Sequence, residues 1–152
     1  FTRGDEKVRK KIVTHYLRST RFINNWDLVD GSAPHILGTY LCDHPRDILY
    51  TFARSRDLWK RRIAIVATFA LIRRGEYDDT LVLAEILLCD PHDLMHKATG
   101  WMLREVGKRC SEKELLAFLR ANYARLPRTA LRYAIERFPE KKRKRLLAGD
   151  FR

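Results

Sequence analysis

A chain of 152 residues with 45% hydrophobic and 33% charged residues is long enough for one domain with a real core and too apolar to be disordered. No apolar run approaches the roughly 18 residues of a membrane span, and no amphipathic anchor with a clear aromatic face is visible, so a membrane partner is not expected. The net charge of +12 makes a polyanion the expected partner, with nucleic acid first.

Apolar residues recur at intervals of three and four almost throughout, and no alternating strand pattern interrupts them. The first stripe, Val8, Ile12 and Tyr16, predicts an N-terminal helix. Next comes INNWDLVDGSAPHILGTYL, where Trp26 and Asp30 lie one turn apart and therefore share a helix face. Gly31 and Pro34 then predict the end of that helix, with Asp30 exposed at its tip. Further breaks are expected at Asp43 to Pro45, at Arg56 and Asp57, and at Gly75. Between the last two, the apolar run from Ile63 to Ile72, flanked by arginine pairs, reads as one buried helix. Leu81, Ala84, Leu87 and Leu88 form the next stripe, and Pro91 opens the helix that carries Trp101. Ser111 with Glu114 reads as a capping box before the stripe Leu115, Phe118, Leu119 and Tyr123. Pro127 opens a further helix, and a break is expected at Phe138–Pro139. The expectation is an all-α domain over residues 1–152, in about nine short helices.

Three of those helices contain a basic residue followed closely by alanine: Arg62 with Ala64, Lys97 with Ala98, and Arg128 with Ala130. The cations are 35 and 31 positions apart, and a period near 33 suggests stacked antiparallel helical pairs that bury a shared core. Such a solenoid curves, and the recurring cations would then give its concave face a basic character. The charge is also uneven. Residues 104–152 hold 15 Lys/Arg against 6 Asp/Glu, whereas residues 1–103 hold 16 against 13. Part of the run at residues 141–145, five consecutive cations, is expected to be only solvated, since one helix face cannot aim all five at a partner.

Cysteines 42, 89 and 110 are odd in number and widely spaced, which argues against a disulfide framework and for a cytoplasmic, reducing setting. Cys42 with His44, and Cys89 with His92, lack a second pair at structural-zinc spacing, so no metal is expected and the thiols read as half-buried residues at helix ends.

The segments NNWDLVDGSAPHILGTYL, LWKRRIAIVAT, HKATGWMLREVGK and LPRTALRYAIERFP, in this order and spacing, resemble the DNA alkylation repair glycosylase family built from HEAT-like repeats. The resemblance runs from about Val8 to Leu147. It implies a HEAT-like solenoid that hydrolyses the N-glycosidic bond of alkylated purines (3-methyladenine or 7-methylguanine type) in double-stranded DNA. It implies no metal or organic cofactor, and a protein acting as a monomer in base excision repair. By matching motifs, Asp30 is the catalytic carboxylate, with Trp26, Arg62 and Trp101 beside it. Arg61, Arg62, Lys97, Arg128 and Arg132 are expected to contact DNA. The family carries further helices before the NNWD segment, so part of its N-terminal region is expected to be missing here.

The chemistry suits these residue types. A purine alkylated at N3 or N7 is already cationic, so its departure needs no general acid. What remains is to stabilise a positive sugar and deliver water, and one carboxylate can do both. Indole faces attract a cation, and an arginine can clamp a phosphate or balance Asp30. Plainer roles stay open from sequence alone. Trp26 and Trp101 fit as core indoles, Asp30 as a surface charge or an N-cap near Pro34, Arg62 as a groove edge, and His35 as a structural group. Trp59 is expected to pack at a repeat junction. The alternative function is a noncatalytic HEAT-like adaptor for DNA or an acidic protein, in which Trp26 and Trp101 would be buried in separate cores.

Overall fold

The computed structural model describes residues 3–152, and among these every regular element is helical. Helix α1 spans Glu6–Ser19 and runs into a 3₁₀ turn, Thr20–Phe22. Helix α2 (Trp26–Ser32) continues through a π turn (Pro34–Gly38) into the short α3 (Thr39–Leu41). There follow α4 (Asp47–Ala53), α5 (Leu58–Ala67), α6 (Phe69–Arg73), α7 (Asp78–Leu87), α8 (Asp93–Arg109), α9 (Glu112–Asn122), α10 (Arg128–Ala134) and α11 (Glu140–Leu147). Eleven α-helical segments with two short turns stand, among the described residues, where the periodicity predicts about nine helices.

Two stretches are bent where the sequence pattern suggests something else. Residues 31–34 do not stop the helical run that α2 begins. Pro34 has no N–H to give to the carbonyl of Asp30, and its ring would crowd that carbonyl in a regular helix. The chain widens instead: Gly38 N–H donates to the Ala33 carbonyl at 2.8 Å, five residues back, and the helix passes through the proline as a π bulge. Asp30 is therefore an interior residue of a continuing helix, not a residue exposed at its tip. The apolar run at 63–72 is likewise two helices. Thr68 turns its hydroxyl onto the Ile65 carbonyl at 2.6 Å, and its own N–H bonds the same carbonyl at 3.2 Å. Such back-bonding by threonine bends a helix, and it separates α5 from α6.

Helix starts follow local capping chemistry. The side chains of Asn25, Asp57, His92 and Ser111 accept backbone N–H groups at the starts of α2, α5, α8 and α9. Pro127 and Pro139 immediately precede α10 and α11. The first apolar stripe is rotated from expectation: α1 buries Val13 and Tyr16, while Val8 is exposed. Tyr16 meets Ser32 of α2 at 3.1 Å, which ties α1 to the next run.

The packing is ordered in a way that matters for the site. Helices α2, α5, α8 and α10 lie against one another in succession, α4 and α7 pack together behind α5, and α7 and α9 pack on α8. One continuous core joins them, with Leu37, Leu49, Ile63, Ile65, Leu83 and Met102 fully buried. Helices α8 and α10 approach closely at Gly100 of α8. A Cβ there would lie 2.5 Å from both the Ala130 carbonyl oxygen and Tyr133 Cβ of α10, so only glycine lets these two helices meet at this distance. Trp59 is half-buried against the core, in keeping with a packing role.

Candidate functional site

Four successive helices contribute to one cleft of about 430 Å³, lined by Trp26 and Asp30 of α2, Arg62 of α5, Leu94, Lys97, Trp101 and Arg104 of α8, and Tyr133 of α10. Its deepest member is Arg62. Arg62 is only 5% exposed, and its guanidinium holds Asp30 with two parallel bonds, Nε to Oδ1 at 3.0 Å and Nη2 to Oδ2 at 2.9 Å. The remaining Nη1 donates to the Leu94 carbonyl at 2.5 Å. One arginine thus fixes α2, α5 and the first turn of α8 relative to one another. The Asp30 side chain keeps 19% of its surface, so the carboxylate edge not used by Arg62 still opens onto the cleft.

The indoles stand above this pair. Trp26 is 51% exposed. Trp101 is half-buried, and its ring rests against Phe69 of α6 with centroids 6.0 Å apart. Trp26 and Trp101 therefore line the same cleft and are not buried in separate cores. Tyr133 completes the wall on the α10 side, where the close contact at Gly100 sets its position.

The cations at the rim are already engaged with carboxylates. Lys97 meets Asp93 at 3.1 Å and holds that carboxyl below its ordinary range. Arg104 bonds Glu136 and lies 3.5 Å from Glu105.

Of the eight residues singled out from sequence, Trp26, Asp30, Arg62, Lys97 and Trp101 come together here. Three do not line the cleft. Arg61 points to the loop before α8, bonding Asp90 Oδ2 at 2.6 Å and the carbonyls of Ser55 and Arg56. Arg128 is exposed and donates to the Leu147 carbonyl at 2.5 Å. Arg132 lines a separate depression of about 350 Å³ with Arg143 and Lys144. The plainer roles for Asp30 do not apply, because it is neither a free surface charge nor a cap. Leu94, Arg104 and Tyr133 escaped the sequence reading. Arg104 was within reach of it, being three residues from Trp101 and so on the same face. The candidate metal pairs lead elsewhere: His44 bonds Glu6 at 2.8 Å and the Tyr40 carbonyl at 2.7 Å, and Cys89 is exposed, not half-buried.

Comparison with known proteins gives one match. The family model described as DNA alkylation repair enzyme matches residues 2–138, about nine-tenths of the chain. No curated protein and no solved structure matches it.

Proposed function

The chain belongs to the DNA alkylation repair enzyme family, and from that membership and the cleft we propose that it is a monofunctional DNA glycosylase releasing cationic alkylpurines from duplex DNA. The observation that carries this reading is the Asp30 carboxylate, held by a buried arginine and overlooked by two indoles.

As the glycosidic bond of an alkylated purine breaks, the purine leaves neutral and the deoxyribose becomes positive. A carboxylate fixed in advance stabilises that charge without having to reorient. Arg62 occupies one edge of Asp30, which leaves the other edge to face the sugar and to hold the attacking water. The faces of Trp26 and Trp101 add attraction for the sugar cation and exclude solvent around it. Lys97, the primary amine that lines the cleft, is paired with Asp93, and on this reading water attacks the sugar, so the product is an abasic site and not a cleaved strand. The succession α2, α5, α8, α10 is what a HEAT-like stack with its inner helices on one face would present, and DNA would lie along that face.

The test is base release from methylated duplex DNA. The reading expects free 7-methylguanine or 3-methyladenine, with strand breaks only after alkali treatment. Tight binding to the duplex with no base release would overturn it in favour of a noncatalytic adaptor.

A further inference from the structure

Beyond the cleft, the indole of Trp101 continues into a second feature that its chemistry does not use. Phe69 packs on Trp101, and two guanidiniums lie over the Phe69 ring: Arg109 at 5.2 Å and Arg73 at 5.9 Å from its centroid. These are distances at which a cation is attracted to a ring. Both arginines are exposed. Arg109 shares the buried Glu105 with Arg104 of the cleft wall, at 2.7 and 3.5 Å respectively. Arg73 meets no carboxylate among the described residues, and it opens onto a depression of about 590 Å³ whose lining includes the donors His35 and Thr39.

We infer that Phe69, Arg73 and Arg109 form an anchoring strip for the phosphates of the DNA strand that flanks the lesion on the α6 side of the cleft. This rests on the reading of the cleft as a DNA site. From Trp101 to Arg109, α8 advances eight residues, about 12 Å at 1.5 Å per residue. The strip therefore lies on the order of 12 Å from the cleft, within reach of backbone phosphates beside the lesion. The two arginines carry two positive charges against one buried carboxylate, which Arg104 also uses, so the strip keeps a positive surplus. The ring holds both guanidiniums in place before DNA arrives, which lowers the ordering cost of binding. Arg61, Arg128 and Arg132 lie outside this track, and the strip supplies the backbone contacts that they do not make there.

The experiment compares the salt dependence of binding to an undamaged duplex for the parent, Arg73→Gln/Arg109→Gln, Arg74→Gln and Phe69→Leu, with base release measured in parallel. Arg74 is the control, being as exposed as its neighbour but engaged with Asp43 at 2.8 Å and Glu76 at 3.6 Å. The double variant is expected to lose about two units of salt slope and about tenfold in affinity at moderate salt. Arg74→Gln should change the slope by less than half a unit. Phe69→Leu should lower affinity with little change of slope, because the charges remain and only their positioning is lost. A parent slope in the double variant overturns the strip, as does an equal effect of Arg74→Gln, or a parent protein that does not bind duplex. Strip-dependent binding by a protein that releases no methylated base would uphold the strip while removing the glycosylase reading.

Discussion

Replacing Asp30 by asparagine tests the centre of the site, and two separate losses are expected from it. The first is chemical. An amide of the same shape cannot carry the negative charge that faces the developing sugar cation, nor accept a proton from water. Loss of one preorganised electrostatic partner costs about 100-fold or more in rate, near 2.7 kcal/mol. The second is structural. Arg62 is nearly fully buried, and Asp30 accepts two of its three bonds to protein. Asparagine can accept one of them, while its NH₂ faces a second donor. Removing one partner of a buried pair costs about 3–5 kcal/mol, and the residual exposure of Asp30 with the retained bond brings this to roughly 2–3 kcal/mol. For a domain of this size that is a fall in Tm of roughly 5–10 °C. The assay measures release of 7-methylguanine well below both melting temperatures, beside thermal melts of Asp30→Asn, Arg62→Gln and the double variant. The double variant should melt higher than the sum of the single losses predicts, by a coupling of about 1–3 kcal/mol. Base release at the parent rate would remove Asp30 from catalysis, and additive melts would mean that the Arg62 pair does not hold the helices together.

Three further outcomes follow from the same geometry. Arg61→Ala should lower Tm by several degrees, because Asp90, whose side chain is only 3% exposed, loses its cation; the salt slope of duplex binding should not move. Gly100→Ala drives a Cβ into the Ala130 carbonyl and Tyr133 at 2.5 Å, so α10 must shift. Overpacking of this kind costs about 1–3 kcal/mol against a helix-propensity gain of about 1, and melting with base-release kinetics should show both lower stability and impaired activity. Tyr50 donates to Asp79 across the α4–α7 contact, and burial with that neighbouring carboxylate pushes its phenol from 10.0 up to about 12. A folded pKa above the unfolded one means stability that is whole below pH 10 and is lost as pH rises towards 12. The Tm advantage of the parent over Tyr50→Phe should therefore shrink across that window in a melt series.

The parts of the site legible in the sequence are those encoded by short spacing. Trp26 and Asp30 at i and i+4 had to share a face, and the structure aims that face into the cleft. The helical runs were legible for the same reason, since a period of 3.6 is local. What the sequence pattern misplaced depends on partners far along the chain. Arg61 and Arg62 are adjacent, so their side chains diverge by about 100° around α5 and cannot both face the cleft. Which of them does so is decided by Asp30 and Asp90, 32 and 29 residues away. Residues 31–34 carry two helix-breaking types, yet core contacts of Ala33, Leu37 and Leu41 hold the chain helical, and the conflict is absorbed as one π bulge. Tyr133 had no sequence signal of its own. Its place follows from the absence of a side chain at Gly100, which only the packed helices reveal.

The cleft also bears on which bases would leave. A neutral purine departs as an anion unless an acid protonates it at N3 or N7, and the charged side chains that line the cleft are already held in ion pairs. Asp30 is bound through both oxygens to Arg62, Lys97 and Arg104 are cations paired with carboxylates, and the remaining titratable member is the phenol of Tyr133. On the glycosylase reading, discrimination then comes from the substrate's own chemistry: every nucleoside meets the same carboxylate, and only one whose base is already positive has a leaving group good enough to use it. No tight pocket for the base is required for that selectivity. It predicts that a neutral adduct such as 1,N6-ethenoadenine persists in duplex DNA under conditions that release 7-methylguanine. Comparable release of the two would mean that an acid reaches the base, and Tyr133→Phe would then be the first variant to make, since it removes the one hydroxyl in the cleft while keeping its wall.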